Sequence, residues 1–288
     1  MSDRRTTPAN GGVAARHLEG VVSAARYVDG EAKAIAATAA FLRASPAGKP
    51  DRQVLLGESV LHYDTRDGWA FVQAAKDDYV GWVEVAALAK PHRPTHRVAL
   101  RHTLAFAAPD VKSDMLFRPP FGARLQVTGT EGIWSKVIVP GQPQVFVRGD
   151  HLRPIDTVED DPVEVARLFL GTPYLWAGNT GDGLDCSGLV QASLLACGVA
   201  CPGDSDLIEN AVGDPLPDGA VLQRGDLIFW KGHVALAMDA DRIIHATAAP
   251  LAVVIENTAT AIKRIETAGD GLPTSRKRIA RLKSHGSV

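Results

Sequence analysis

The sequence predicts a multidomain chain in which two small all-β barrels precede an α+β domain built on an antiparallel sheet. Three observations carry this. At 288 residues the chain has reached the length, roughly 250 to 300 residues, where a single core stops growing and chains divide into domains. Short alternating apolar runs parted by Gly, Asp and Pro recur through the first half of the chain, and the rhythm is used twice. After an acidic, proline-containing stretch the pattern changes to helical periods followed by strands.

Taken in order, residues 1–16 are polar, carry Pro and Gly and show no clear period, and residues 1–29 read as a partly disordered lead-in. Residues 30–90 make the first barrel, with "WAFVQA" and "YVGWVEV" its clearest strands. Residues 95–155 repeat it: "GESVLHYDTRDGWAFVQA" corresponds to "GARLQVTGTEGIWSKVIV", each a glycine-led strand, a turn and a tryptophan-led strand. Trp69, Trp82 and Trp134 are the expected barrel cores. "DTVEDDPVEV" is the linker, and a domain over residues 162–285 opens with a helix that has Asp161 before Pro162 and Gly171 at its stop. A second helix spans about Ser187 to Ala196 and a third lies near "SDLIENAVG", followed by strands at "DLIFWKG", "HVALAMDA", "RIIHATA" and "AVVIEN". The basic end "TSRKRIARLKSH" reads as a solvated last strand or helix with its arginines outward.

Composition narrows the function classes. The chain is 45% hydrophobic and 22% charged, an ordinary globular balance. Lys plus Arg number 31 against 33 for Asp plus Glu, and this net charge of -2 gives no field for nucleic acid or an anionic membrane. No apolar run follows the N-terminal arginines and none elsewhere has transmembrane length, so the expected location is the cytoplasm. Three cysteines, an odd number, argue against a disulfide framework. Cys197 and Cys201 lack the paired cysteines or histidines of a metal site, and no metal or organic cofactor is expected.

The chemistry points to Cys186, in "GLDCSGLVQASLLACG", where a loop turns into an apolar helix. A thiol attacks as its thiolate, and the unpaired N–H groups of a helix N-terminus favour that anion. A base and an orienting group are also needed. His233 opens the strand "HVALAMD" and His245 lies in the neighbouring run "RIIHATA", so adjacent strands can supply a Cys, His, His relay with His233 as base and His245 fixing its tautomer.

Taken together, "GTPYLWAGNTGDGLDCSGLVQ", "LQRGDLIFWKGHVALAMD" and "RIIHAT" resemble the NlpC-type family of papain-like bacterial cell-wall peptidases. With paired SH3-like barrels ahead, residues 30–285 resemble γ-D-glutamyl-L-diamino acid endopeptidases. The resemblance implies Cys186 as nucleophile, His233 as base and His245 as orienting residue. It also implies that Asp185 and Ser187 bind a substrate's free α-ammonium, that Tyr174 helps form the oxyanion site, and that Glu58 and Tyr79 of the first barrel reach the amine pocket. The implied partner is a murein peptide of the L-Ala-γ-D-Glu-diaminopimelate type, cleaved during wall-peptide recycling without a cofactor. The chain departs from the pattern at "WAGN", where Ala177 and Asn179 replace a glycine and often a basic residue. It departs again at "PGDSDLI", where Gly203 and Ile208 replace an arginine and a glutamine.

Each residue read singly has a structural alternative: a buried thiol, core histidines, a helix cap at Asp185, a first-turn serine, and polar or packing roles for Glu58, Tyr79 and Tyr174. Three other activities fit the same residues. They are a hydrolase of intact peptidoglycan, a Cys/His amidase or acyltransferase on another acyl group, and a non-catalytic binder of wall fragments. The diamino acid preferred and the oligomeric state stay open.

Overall fold

A computed structural model describes residues 3–280. The chain divides into two compact units, one ending at Thr157 and the other beginning at Val158.

The first unit holds two seven-stranded antiparallel sheets with one topology. In the first the neighbours run Pro50–Leu55, Ala39–Arg43, Val80–Glu84, Trp69–Ala74, Ser59–Arg66, Glu31–Ile35 and Leu88–Ala89. In the second they run Met115–Phe117, Ala105–Phe106, Val145–Arg148, Trp134–Ile138, Arg124–Glu131, His96–Val98 and Leu152–Pro154. Each strand has its counterpart in the same place, so the sequence repeat is a structural duplication. The agreement reaches single bonds. Gly57 N–H donates to Ile35 O and Ile35 N–H to Glu58 O in the first barrel; Gly122 N–H donates to Val98 O and Val98 N–H to Ala123 O in the second. The long hairpin is bulged in both copies, between His62 and Asp64 and between Val127 and Gly129.

The barrels touch through the turn at Gly57. Leu56 is buried among Val98, Leu125, Val137 and Val147 of the second barrel, and Arg124 N–H donates to Leu56 O at 2.8 Å. Gly57 has φ +77° and a Cβ there would lie 1.8 Å from Arg124 O, so glycine is required twice over.

The lead-in is not disordered. Strands Val13–Ala15 and Arg26–Val28 pair in parallel, and Val13 and Ala15 pack with Tyr63, Phe71, Val80 and Trp82 of the first barrel. Asp64 fastens it by accepting from Asn10 Nδ2 at 3.2 Å and Arg26 Nη2 at 2.5 Å. These contacts are long-range, which is why no local period announced them.

In the second unit, α1 (Pro162–Arg167) is capped by the Asp161 side chain on Val163 N–H. α2 (Cys186–Ala196) is buried on nearly every side, as its almost continuous apolar sequence requires. α3 (Ser205–Ala211) and α4 (Thr258–Ala268) complete the helices of the described residues. The antiparallel sheet has the order Asp214–Pro215, Ser275–Arg278, Leu227–Trp230, His233–Ala237, Arg242–Thr247, Ala252–Asn257. Ile228, Trp230, Ala235, Ala237 and Ile243 form a core with Ala261 and Ile265 of α4.

The basic end does not simply point its arginines to water. Ser275–Arg278 is an interior strand, and Arg278 makes a two-pronged pair with the buried Asp226 at 2.9 and 2.7 Å. The part of that basic stretch beyond Ala280 lies outside the described residues. No helix among the described residues is long and apolar enough to cross a membrane.

Candidate active site

The nucleophile-bearing turn is set by Asp185. Its carboxylate accepts from Gly188 N–H at 2.6 Å, Ser187 Oγ–H at 2.9 Å and Ala177 N–H at 3.0 Å. The first bond is the N-cap of α2; the third ties the "WAGN" loop to the helix. Gly188 is forced by this packing, because a Cβ there would lie 2.3 Å from Gly178 O. Ala177 takes φ +65°, the left-handed region that favours glycine.

Cys186, the first residue of α2, is 6% exposed. Its thiol lies against the opening of the strand His233–Ala237, within 4.0 Å of Gly232 O, and Val234 N–H points at the sulfur. Cys186 thus meets the backbone on either side of His233. From there a chain of side chains runs across the sheet. His233 Nε2 and His245 Nδ1 are 2.9 Å apart, and His245 Nε2 stands 2.6 Å from Glu256 Oε2. Arg264 of α4 holds Glu256 through Nη2 at 2.5 Å and Nε at 3.2 Å.

The expected low thiol pKa does not hold in this site. Burial, followed by the Asp185 charge, pushes the Cys186 thiol up to about 12, against the opposing pull of the N–H groups of Val234, Ser187 and Cys186. Burial drives His233 down to about 3, with His245 and Arg264 adding to it and Glu256 opposing. His245 is also lowered, chiefly by burial. Desolvation thus works against the helix terminus at the thiol and against protonation of both imidazoles. Tyr174 is raised by burial and by Cys186 and Asp185, so its phenol stays protonated beside both and can donate a hydrogen bond.

The structure brings Cys186, His233, His245, Tyr174, Asp185 and Ser187 together within the second unit. Glu58 and Tyr79 belong to the first unit and are buried within its first barrel. Glu58 accepts from Leu55 N–H at 3.0 Å and from Lys76 Nζ at 2.9 Å, and the Arg52 guanidinium lies 5.9 Å from the Tyr79 ring centre. Cys197 and Cys201 are not joined in a disulfide. Among the described residues no group of three or more His, Cys, Asp or Glu is placed to hold a metal ion. Sequence reasoning missed Glu256 and Arg264: a glutamate in "AVVIEN" and an arginine in an unrecognised helix gain meaning only from strand register.

Residues 42–88 match the bacterial dipeptidyl-peptidase Sh3 domain and residues 171–268 match the NlpC/P60 family. A gamma-D-glutamyl-L-lysine dipeptidyl-peptidase of Bacillus cereus is 28% identical over 239 residues, covering 73% of this chain and 71% of that protein. The protein of the same name from Bacillus subtilis is 31% identical over 216 residues, covering 67% and 71%. A crystal structure of an NlpC/P60 family protein from Bacillus cereus superposes with a TM-score of 0.73 at 22% identity, covering 86% of this chain and 99% of that one, which shows a shared fold. An SH3-type domain ahead of a cysteine and histidine site on an antiparallel sheet, with a relative at this identity and coverage, places the chain in the NlpC/P60 peptidase family.

Proposed function

We propose that the protein is a cysteine peptidase that hydrolyses the γ-D-glutamyl to diamino acid bond of murein peptides carrying a free N-terminal L-alanine, acting in the cytoplasm on recycled wall fragments. The observation that carries this reading is the Cys186 thiol lying against the backbone on either side of His233, with His233 paired to His245 and a buried carboxylate at Asp185. The names of the two Bacillus relatives support it, since a dipeptidyl-peptidase counts from an amino terminus.

In the reaction Cys186 passes its proton to His233 as sulfur attacks the γ-carbonyl carbon, so charge separates only when substrate is present. The oxyanion takes hydrogen bonds from backbone N–H at the start of α2 and from the protonated Tyr174 phenol. His233 then gives the proton to the leaving amine, and water, deprotonated by His233, clears the acyl-enzyme. The substrate ammonium is met by Asp185 and Ser187. An acylated amine would leave the carboxylate without that cation, at a cost of about 2 kcal/mol or more.

Glu58 and Tyr79 enter the proposal as residues whose replacement raises KM for free-amine peptides. The second barrel supports this. Ala123 stands at the place of Glu58, and the uncharged "PGQPQ" replaces the loop "AKDDY". The fold therefore does not need these charges.

The test is hydrolysis, followed by mass spectrometry, of L-Ala-γ-D-Glu-diaminopimelate, its L-lysine counterpart and the N-acetylated form of each, with Cys186→Ala as control. Cleavage of free peptides alone, lost in the variant, is the expected result. Equal cleavage of acetylated peptides would overturn the amine site and favour intact peptidoglycan as substrate. Cleavage of none would leave the amidase or binding readings.

A further inference from the structure

The Cys186 to His233 reading leaves one half-buried feature without a role: the Glu256 carboxylate at the far end of the histidine pair. Glu256 is an acceptor only, so the hydrogen between it and His245 sits on His245 Nε2, 2.6 Å away. Neutral His245 then presents a bare Nδ1. The 2.9 Å bond to that nitrogen must be donated by His233 Nε2–H, which leaves Nδ1 as the His233 nitrogen with a lone pair. Reversing the tautomer at either histidine would place two hydrogens, or two lone pairs, in one of these short contacts.

Resting on that reading, we propose that Glu256, held in place by Arg264, is a positioning residue that fixes the tautomers of both histidines and supplies the counter-charge for the imidazolium formed during attack. When the Cys186 proton moves to His233 Nδ1, thiolate and imidazolium form together and nothing else is gained or lost. The new positive charge lies one imidazole away from a carboxylate that accepts from two groups at once, His245 Nε2–H at 2.6 Å and Arg264 Nη2–H at 2.5 Å. Arg264 has the opposite sign and a double effect: it orients the carboxylate and opposes protonation of the pair.

The groups around the two histidines bear this out in direction. Glu256 raises both imidazoles and Arg264 lowers both. From α2, Cys186 lies against the strand that His233 opens, with Asp185 behind it. The charged side chains of α1 turn elsewhere, Glu164 to Arg224 and Arg167 to Glu164. Glu209 of α3 is taken by Thr274 and Ser275. Glu256, paired with Arg264, is thus the carboxylate in direct contact with His245.

The experiment compares wild type, Glu256→Gln and Arg264→Met, each shown folded by thermal melting. It reads kcat and KM on the free γ-glutamyl peptide, and the rate of Cys186 alkylation by iodoacetamide against pH, resolved from Cys197 and Cys201 by peptide mapping. Gln keeps an acceptor oxygen and removes the charge, so kcat should fall about 10- to 100-fold with KM held within about twofold. Its acid limb should move to lower pH in both assays. Arg264→Met should move the acid limb to higher pH. Opposite displacements are not what loosened packing produces.

Wild-type kcat and limbs in Glu256→Gln, or limbs moving the same way in both variants, would overturn the proposal. If Glu256→Gln does not fold, Arg264→Met decides alone: an upward limb supports the role and an unmoved one removes it. If wild type cleaves no peptide, the proposed function fails while the alkylation arms still test the relay.

Discussion

Replacing Asp185 by Asn should weaken the fold and at the same time make Cys186 easier to ionise. The carboxylate accepts from three buried donors, at 2.6, 2.9 and 3.0 Å. An amide offers one oxygen and an NH2 group, so at least one of Gly188 N–H, Ser187 Oγ–H or Ala177 N–H must face another donor. Leaving a buried donor unsatisfied costs about 1 to 3 kcal/mol, and losing the charge on the remaining bonds adds about 1 kcal/mol. The sum, about 2 to 4 kcal/mol, corresponds to a Tm roughly 10 °C lower for a unit of this size. The thiol responds oppositely, because the Asp185 charge is the second cause of its raised pKa after burial. Removing it should lower the pH midpoint of Cys186 alkylation, measured well below Tm so that unfolding does not supply the reactive thiol. An unchanged Tm, or a midpoint that moves up, would refute the account of how Asp185 holds this turn.

Acid should destabilise the protein before its carboxylates titrate. His233 and His245 are both lowered in the fold, so the unfolded chain takes up protons the native one refuses. Stability is then flat above about pH 6.5 and falls below it, by at most about 1.4 kcal/mol per pH unit for each histidine. Urea melts across pH 7 to about 4.5 would show this, and His245→Asn should flatten the slope. Gly188→Ala should destabilise by more than about 2 kcal/mol and abolish peptidase activity, because its Cβ meets Gly178 O at 2.3 Å and neither backbone can yield without moving the Cys186 turn. Arg278→Met should cost about 2 kcal/mol by leaving Asp226 buried without its cation, read as faster amide exchange in Ser275–Arg278.

What was legible in the sequence was what local chemistry dictates. Asp161 before Pro162 and Asp185 before Cys186 are side-chain caps and mark the starts of α1 and α2. The turns and β-rich runs of the last domain gave four strands within three residues of those observed at each end. The duplication was readable because both copies keep the same spacing between glycine and tryptophan. What was not legible depends on contacts distant in sequence. α4 is the exception: its Asn257 cap, its left-handed Gly269 and the helical spacing of Ala261, Ile262 and Ile265 are local signals that the sequence reading passed over. The structure of the lead-in depends on a surface of the first barrel that no short window contains. The electrostatics of the thiol divide along the same line: the helix terminus is visible in sequence, and the burial that opposes it is not.

The duplicated barrels give the protein an internal control on its own charges. Two copies with the same strand order and the same turn hydrogen bonds differ in what they bury. The first encloses Glu58 with Lys76 and Arg52 with Asp77, all four side chains under one-tenth exposed. Taking such pairs out of water costs several kcal/mol per ion before their attraction returns it, and apolar replacements of similar volume are often neutral or stabilising. The second barrel does without that set, with Ala123 where the first has Glu58 and the uncharged "PGQPQ" in place of "AKDDY". Stability alone therefore does not explain the charged set in the first copy. That contrast between the two copies is what the proposed Glu58 and Tyr79 variants test: a rise in KM for free-amine peptides with an unchanged Tm would set these side chains apart from the rest of the barrel core, and a lowered Tm with unchanged KM would make them part of it.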